Sequence, residues 1–226
     1  MMVRPRTSTE TIRKIGTSGD LTKESQYDGN RKKPPSMADQ LSLSYRLRNF
    51  SGPNMLRQYE KLLRIFPFSR LARQPSTFRV LAVDYNEPAL LEVPLPAPID
   101  LDQVLAAARD FENPDFCCRL ESWWDLWQFR TDWELAPSRV ALSCFGPEFE
   151  HEGQDDLSVE FGIDAHFLPQ PDVENSLRMV QSNIKSLLKL VHDLDDALAV
   201  DTRRLWSESG ENFTEKLHQA LSAAAK

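Results

Sequence analysis

The chain has 226 residues, 41% of them apolar, three cysteines and a formal net charge of −7. That length accommodates one well-buried domain with a tail. The three thiols, adjacent at Cys117 and Cys118 and separate at Cys144, exclude a framework of several disulfides and fall short of the four ligands of a structural zinc site. Charge is divided along the chain: residues 1–79 carry 16 Lys/Arg against 6 Asp/Glu, and residues 80–226 carry 11 against 28. A basic start is joined to an acidic body, an asymmetry that speaks to partners rather than to fold.

Residues 1–36 hold Ser, Thr, Gly, Lys and Arg with few apolar side chains, too little to offset the entropy of ordering them. They are expected to form a disordered basic arm. The composition breaks at Met37, a candidate initiator and the expected start of a single domain over 37–226. Met1–Lys14 carries charge without an apolar stretch, so no secretory leader is predicted.

From Leu41, the residues Leu41, Leu43, Tyr45 and Leu47 alternate with Ser42, Ser44, Arg46 and Arg48, the period-2 pattern of a half-buried strand. Ser51-Gly52-Pro53 ends it. Met55, Leu56, Tyr59, Leu62, Leu63 and Phe66 then recur at helical spacing opposite Arg57, Lys61 and Arg64, giving a basic amphipathic helix that Pro67 stops. Strands are predicted over Phe78–Tyr85 and Leu90–Val93, joined by a turn at Asn86-Glu87-Pro88. Asp100 caps a helix through Leu101, Val104, Leu105, Ala108 and Phe111.

Three further strands are expected near 116–129, 139–149 and 157–168. The last is the sharpest, with Val159, Phe161, Ile163, Ala165 and Phe167 facing one way and Ser158, Glu160, Gly162, Asp164 and His166 the other. Beyond Asp172, the expected cap, Leu177, Val180, Ile184, Leu187, Val191, Leu194 and Leu198 repeat at spacings of three and four. Leu188, Leu190 and Ala197 widen that stripe past a coiled-coil seam, so burial against the chain's own core and a final helix (Phe213, Leu217, Leu221) is favoured over a coiled-coil dimer. Lys185, Lys189, His192 and Asp193 interrupt this stretch, which rules it out as a membrane span and points to a cytoplasmic protein. Runs of consecutive strands predict an α+β fold, a mostly antiparallel sheet with helices packed on one face, an open-faced sandwich with a C-terminal helical pair.

Between Gly52 and Gly146 there is no glycine, and neither a phosphate-binding loop, a dinucleotide fingerprint nor a Gly-x-Ser-x-Gly elbow occurs anywhere in the chain. No cofactor is called for. The strongest polar constellation is Glu160, Asp164 and His166 on one strand face, with Glu148, Glu150 and His151 preceding it. Neighbours two apart on a strand lie about 6.6 Å apart on one side, so Asp164 and His166 offer an acid/base pair or two metal ligands. A solvated sheet face is the simpler reading, because a metal site needs a third ligand at defined spacing. His192 with Asp196 reads as a charged helix face, and Cys117-Cys118 as structural thiols.

Trp123, Trp124, Trp127 and Trp133 cluster within eleven positions. Trp124 is assigned to the core, while Trp123 and Trp127 share a face with charged residues and read equally as interface anchors or as large core aromatics. The acidic body disfavours nucleic acid and favours a protein partner of basic character. The expected function is a non-catalytic binding module, an adaptor or a stoichiometric, immunity-type inhibitor, monomeric or weakly dimeric. Its surface would comprise Arg46, Arg48, Trp123, Trp127, Glu160, Asp164 and His166. The alternative is a small metal-assisted or general acid/base hydrolase using Asp164, His166, Glu160 and His151.

Overall fold

Alternating strands that each bury one face are satisfied by joining edge to edge, and in the computed structural model seven of them do so among the described residues. The structure describes residues 39–111, 113–170, 172–207 and 212–224. The predicted arm over residues 1–36 and the proposed start at Met37 lie outside the described residues. The elements are Gln40–Leu47 (β1), Gly52–Ile65 (α1), Ser76–Ala82 (β2), Leu91–Leu95 (β3), Leu101–Arg109 (α2), Phe116–Phe129 (β4), Trp133–Phe145 (β5), Leu157–Ile163 (β6), a 3₁₀ turn at Asp164–Phe167, Ser176–Ala197 (α3), Val200–Ser207 (β7) and Phe213–Ala224 (α4). The sheet is antiparallel in the order β3-β2-β4-β5-β6-β1-β7. The four helices among the described residues put their apolar sides on one face, giving the α+β open sandwich that the strand runs predict.

The core lies between that face and the helices. Leu41, Leu43 and Tyr45 of β1 share this core with Met55, Tyr59, Leu62 and Leu63 of α1, all fully buried. Trp124 is in the core as expected, its ring 5.8 Å from Phe66 and 5.5 Å from Phe161. Burying each such large side chain contributes about 1.5–3 kcal/mol. Asp100 caps α2 by accepting from the amides of Asp102 and Gln103. The stripe of α3 is covered by β4, the 3₁₀ turn and α1, and α4 lies against β7. Among the described residues no helix is long and apolar enough to cross a membrane.

Several boundaries differ from the sequence expectation. β7 has no counterpart in that expectation, because Asp201-Thr202-Arg203-Arg204 carries no apolar alternation and becomes a strand by pairing with β1. β5 starts at Trp133, six residues early, because it zips in register with β4 from Phe129↔Trp133 to Cys117↔Phe145. α3 begins at Ser176 behind Asn175 in a left-handed conformation (φ 61°), so Asp172 is not its cap. β2 stops at Ala82, before Val83 at φ 67°, an unusual conformation for a β-branched residue.

The most consequential difference is at the end of β6. Pairing with β1 runs Ser42↔Glu160 and then Gln40↔Ile163, so β6 carries an extra residue there, with Gly162 at φ 74°. A bulge shifts the alternation by one, moving the following side chains to the opposite face. Ile163, expected in the core, is exposed, and Asp164, expected in water, is 2% exposed.

β4 is longer than β2, which pairs with it only over Phe116–Glu121. Beyond that, the outer edge of β4 is satisfied by other groups. The Ser69 amide donates to the Trp123 carbonyl at 2.8 Å. Asn183 of α3 then takes the place of a strand: its Oδ1 accepts from the Trp127 amide (2.9 Å) and its Nδ2 donates to the Trp127 carbonyl (2.9 Å). The same Nδ2 also donates to the His166 carbonyl at 2.8 Å.

Candidate functional site

No helix among the described residues covers the second face of the sheet. Strand register sets two rows across it. One runs Trp206, Ser42, Glu160, Ala141, Glu121, Thr77, and the next runs Arg204, Ser44, Ser158, Ser143, Arg119, Arg79. Ser44, Ser158 and Ser143 fill the middle of the second row, and Ser42 lies beside Ser44 in the first, so the surface is hollow there and charged to one side.

The charged side is a closed lattice. Arg119 holds Glu160 with two parallel bonds, Nη1 to Oε1 at 2.6 Å and Nη2 to Oε2 at 2.7 Å, the fork geometry of a strong guanidinium–carboxylate pair. Gln40 Nε2 donates to the same Glu160 Oε2 at 2.7 Å. Arg79 joins Glu92 and Glu121, both at 2.7 Å, and Arg139 reaches Glu121 at 2.7 Å. Burial works against the Arg119 charge, yet the bonds and charge of Glu160 outweigh it and raise its pKa, so the guanidinium stays ionised. Burial likewise opposes ionisation of Glu121, but Arg79, Arg139 and Arg119 together hold its carboxyl below the usual range.

Beside this lattice the face sinks into an open groove of about 770 Å³, within the size range of ligand-binding clefts. Its floor is Ser42, Ser44 and Ser158, short side chains that leave room above the strands. Its walls are aromatic. Phe145 and Phe149 sit on Leu81 and Cys117 in a second, small apolar cluster, and Tyr85 packs edge-on against both rings. Tyr85 leaves 44% of its surface open, while its hydroxyl end turns inward toward Ser143 and Cys117, and burial of that end holds its pKa above the ordinary phenol value. His151 stacks on Phe145 at 4.0 Å between ring centroids. On the far side, Trp206 donates from Nε1 to Ser44 Oγ at 3.0 Å, which fixes the plane of its indole.

The rim is acidic: Asp84, Glu150, Glu152 and Asp155 line it, with Arg204 as the cation among them. Asp156 anchors the loop carrying the rim. Its carboxylate accepts from the Leu47 amide at 2.6 Å and its own amide donates to Tyr45 O at 2.8 Å. Gly153 N donates to His151 Nδ1 at 3.3 Å, and burial lowers the imidazole pKa against the pull of Asp155. His151 is therefore uncharged near neutrality and serves as a flat wall.

The predicted site residues are dispersed by this arrangement. Glu160 is on the face but locked to Arg119. Asp164 does not share a strand face with His166, which corrects the constellation read from the sequence. The bulge turns Asp164 inward, where Oδ2 accepts from Lys216 Nζ of α4 at 2.6 Å and Oδ1 accepts from the Asp39 amide at 3.2 Å. His166 lies half-buried in the 3₁₀ turn, and burial lowers its pKa although Asp164 pulls the other way. Arg46 is exposed at the rim loop, donating to Gln154 Oε1 at 3.0 Å, and Arg48 is exposed past the end of β1. Trp123 and Trp127 do share the uncovered face, half-buried at the end away from the groove, with Trp123 Nε1 donating to Pro75 O at 3.2 Å.

Residues outside the sequence-based expectation that join the site include Tyr85, Phe145, Asp155, Arg204 and Trp206. The usable signal for them is the run of serines at alternate positions on strand faces otherwise bearing charge. Cys117, Cys118 and Cys144 are buried and unbridged, and burial raises each thiol pKa, as inert structural thiols require. Among the described residues no three His, Cys, Asp or Glu side chains gather as metal ligands would. Comparison with known protein families, with curated proteins and with solved structures finds no match to this chain.

Proposed function

We propose that the chain is a non-catalytic protein-binding module, an adaptor or a stoichiometric inhibitor of immunity type, that presents the groove to a basic segment of a partner protein. The observation that carries this reading is the groove itself: aromatic walls, a serine floor and a rim of Asp84, Glu150, Glu152 and Asp155 on a sheet face that no described helix covers. Aromatic planes next to carboxylates supply contact area and attraction for cations together. The commitment of Glu160 to Arg119 by two bonds and of Asp164 to Lys216 by one supports binding over hydrolysis, because a carboxylate already held in an ion pair is poorly placed to move protons.

Quantitative affinity purification with the wild-type protein and with Tyr85→Ala tests the reading. The expected result is a protein of high isoelectric point retained by the wild type, lost with the variant and released at about 0.5 M salt, where exposed charges are strongly screened. Identical retained sets for the two baits would overturn it.

A further inference from the structure

Within that groove one corner already holds a guanidinium. Arg204 and Trp206 stand two apart on β7 and so project from the same face. The Arg204 guanidinium carbon lies 5.9 Å from the centre of the Trp206 ring, and Nη2 is 3.7 Å from Asp155 Oδ2. Both partners are fixed. The indole is pinned by its bond to Ser44, and Asp155 is 14% exposed on the loop that its neighbour Asp156 ties to β1. The cation is not fixed: the Arg204 side chain is 61% exposed, and a long, exposed ion pair with one stacking contact is weakly held. The arrangement is a rigid, planar and anionic receptor with a loosely seated occupant on its own chain.

We infer that the Trp206–Asp155 corner is a guanidinium subsite that receives an arginine side chain from the partner segment, with Arg204 as a stand-in that swings out when the partner binds. The inference rests on the binding-module reading and specifies what that module recognises. Arginine fits better than lysine because a flat guanidinium stacks on the indole while forking toward the carboxylate, whereas an ammonium can satisfy only one of the two well. The remaining carboxylates, Asp84, Glu150 and Glu152, favour further cationic residues on either side of that arginine.

The test uses the full chain, isotope-labelled, titrated at low salt with three blocked pentapeptides that differ only at a central arginine, lysine or citrulline. Citrulline keeps the shape of arginine and removes the charge. The arginine peptide is expected to shift the Trp206 indole and Asp155 amide resonances, and to bind up to about fivefold more tightly to Arg204→Ala, from which the competing cation is gone, as loss of about one weak contact predicts. Trp206→Leu and Asp155→Asn should each weaken it, and citrulline should abolish the preference. Thermal melting checks that each variant is folded, and the exposed Arg204→Ala remains decisive if Asp155→Asn is not. Equal binding of arginine and citrulline peptides, or no gain in Arg204→Ala, overturns the subsite. If shifts then centre on Tyr85 and His151, the subsite fails while the groove reading stands. A salt-sensitive partner lost with Tyr85→Ala but indifferent to Trp206→Leu likewise removes the subsite and leaves the groove.

Discussion

Replacing Asn183 with alanine removes the side chain that stands in for a missing strand along the outer edge of β4. Three hydrogen bonds go with it, two to Trp127 and one to His166, all between 2.8 and 2.9 Å. Asn183 is 2% exposed, so water reaches the abandoned groups poorly. At a net contribution of about 1 kcal/mol per bond the substitution costs about 3 kcal/mol. For a domain of this size that lowers the melting temperature by roughly 6–12 °C. Asn183→Asp is the sharper variant. It keeps an acceptor for the Trp127 amide but turns a second oxygen toward two carbonyls, so at neutral pH it should destabilise at least as much as alanine, and less in acid, where the carboxyl can donate. Urea unfolding followed by tryptophan fluorescence gives both numbers, and amide exchange at Trp127 should accelerate in the alanine variant. A change below about 0.5 kcal/mol, the scatter of neutral surface substitutions, would refute the claim that Asn183 seals this edge.

The same substitution should act with opposite sign at two buried tyrosines. Tyr45→Phe removes a hydroxyl with no hydrogen-bond partner among the described residues and is expected to be neutral or to stabilise by about 1 kcal/mol, whereas Tyr59→Phe breaks the bond to Leu142 O (3.1 Å) and should cost about 1 kcal/mol. Equal denaturation midpoints would refute the contrast. Glu160→Ala leaves the Arg119 guanidinium half-buried without its fork partner and should cost about 2–3 kcal/mol, with Glu160→Gln intermediate, as read from chemical denaturation. Burial lowers the pKa of both His151 and His166, so the unfolded chain takes up protons first as pH falls. Their contribution to stability is complete above the free imidazole value of about 6.5 and is lost on acidification, at no more than about 1.4 kcal/mol per pH unit for each group. Unfolding measured at pH 7.5 and 5.5 should show this decline, and His166→Gln should flatten it; an unchanged slope would count against burial as the cause. Asp156, whose carboxyl pKa burial raises, works in the opposite direction at lower pH, so the window stops at 5.5.

Much of the architecture is written in local patterns. Period 2 in Leu41–Arg48 and helical spacing in Met55–Phe66 each specify an element and its inward face, because burial of one face is a property that a short segment declares by itself. The Asp100 cap and the inward Trp124 follow in the same way. The opposite cases share one cause. β7 is a strand because β1 offers it an edge, β5 is extended because β4 is long, and Asp164 turns inward because Gly162 and one extra residue in β6 reverse the alternation. Pairing partners and bulges are relations between distant segments, and a single stretch of sequence does not contain them.

The candidate site divides along the same line. Charge placement, the serines on strand faces and the acid-rich stretch around Glu148–Asp156 are one-dimensional facts, and they suffice to predict a polar sheet face. Which acids are spent on internal pairing and which remain at a rim was decided only when the strands aligned Arg79, Arg119 and Arg139 with Glu92, Glu121 and Glu160. Trp206 and Asp155 flank the same Arg204 because β7 lies beside β1 and the rim loop is tied to β1 at Tyr45 and Leu47. Sequence determines what each residue prefers to touch; the assembled sheet determines which of those preferences are already satisfied, and only the remainder can recognise anything else.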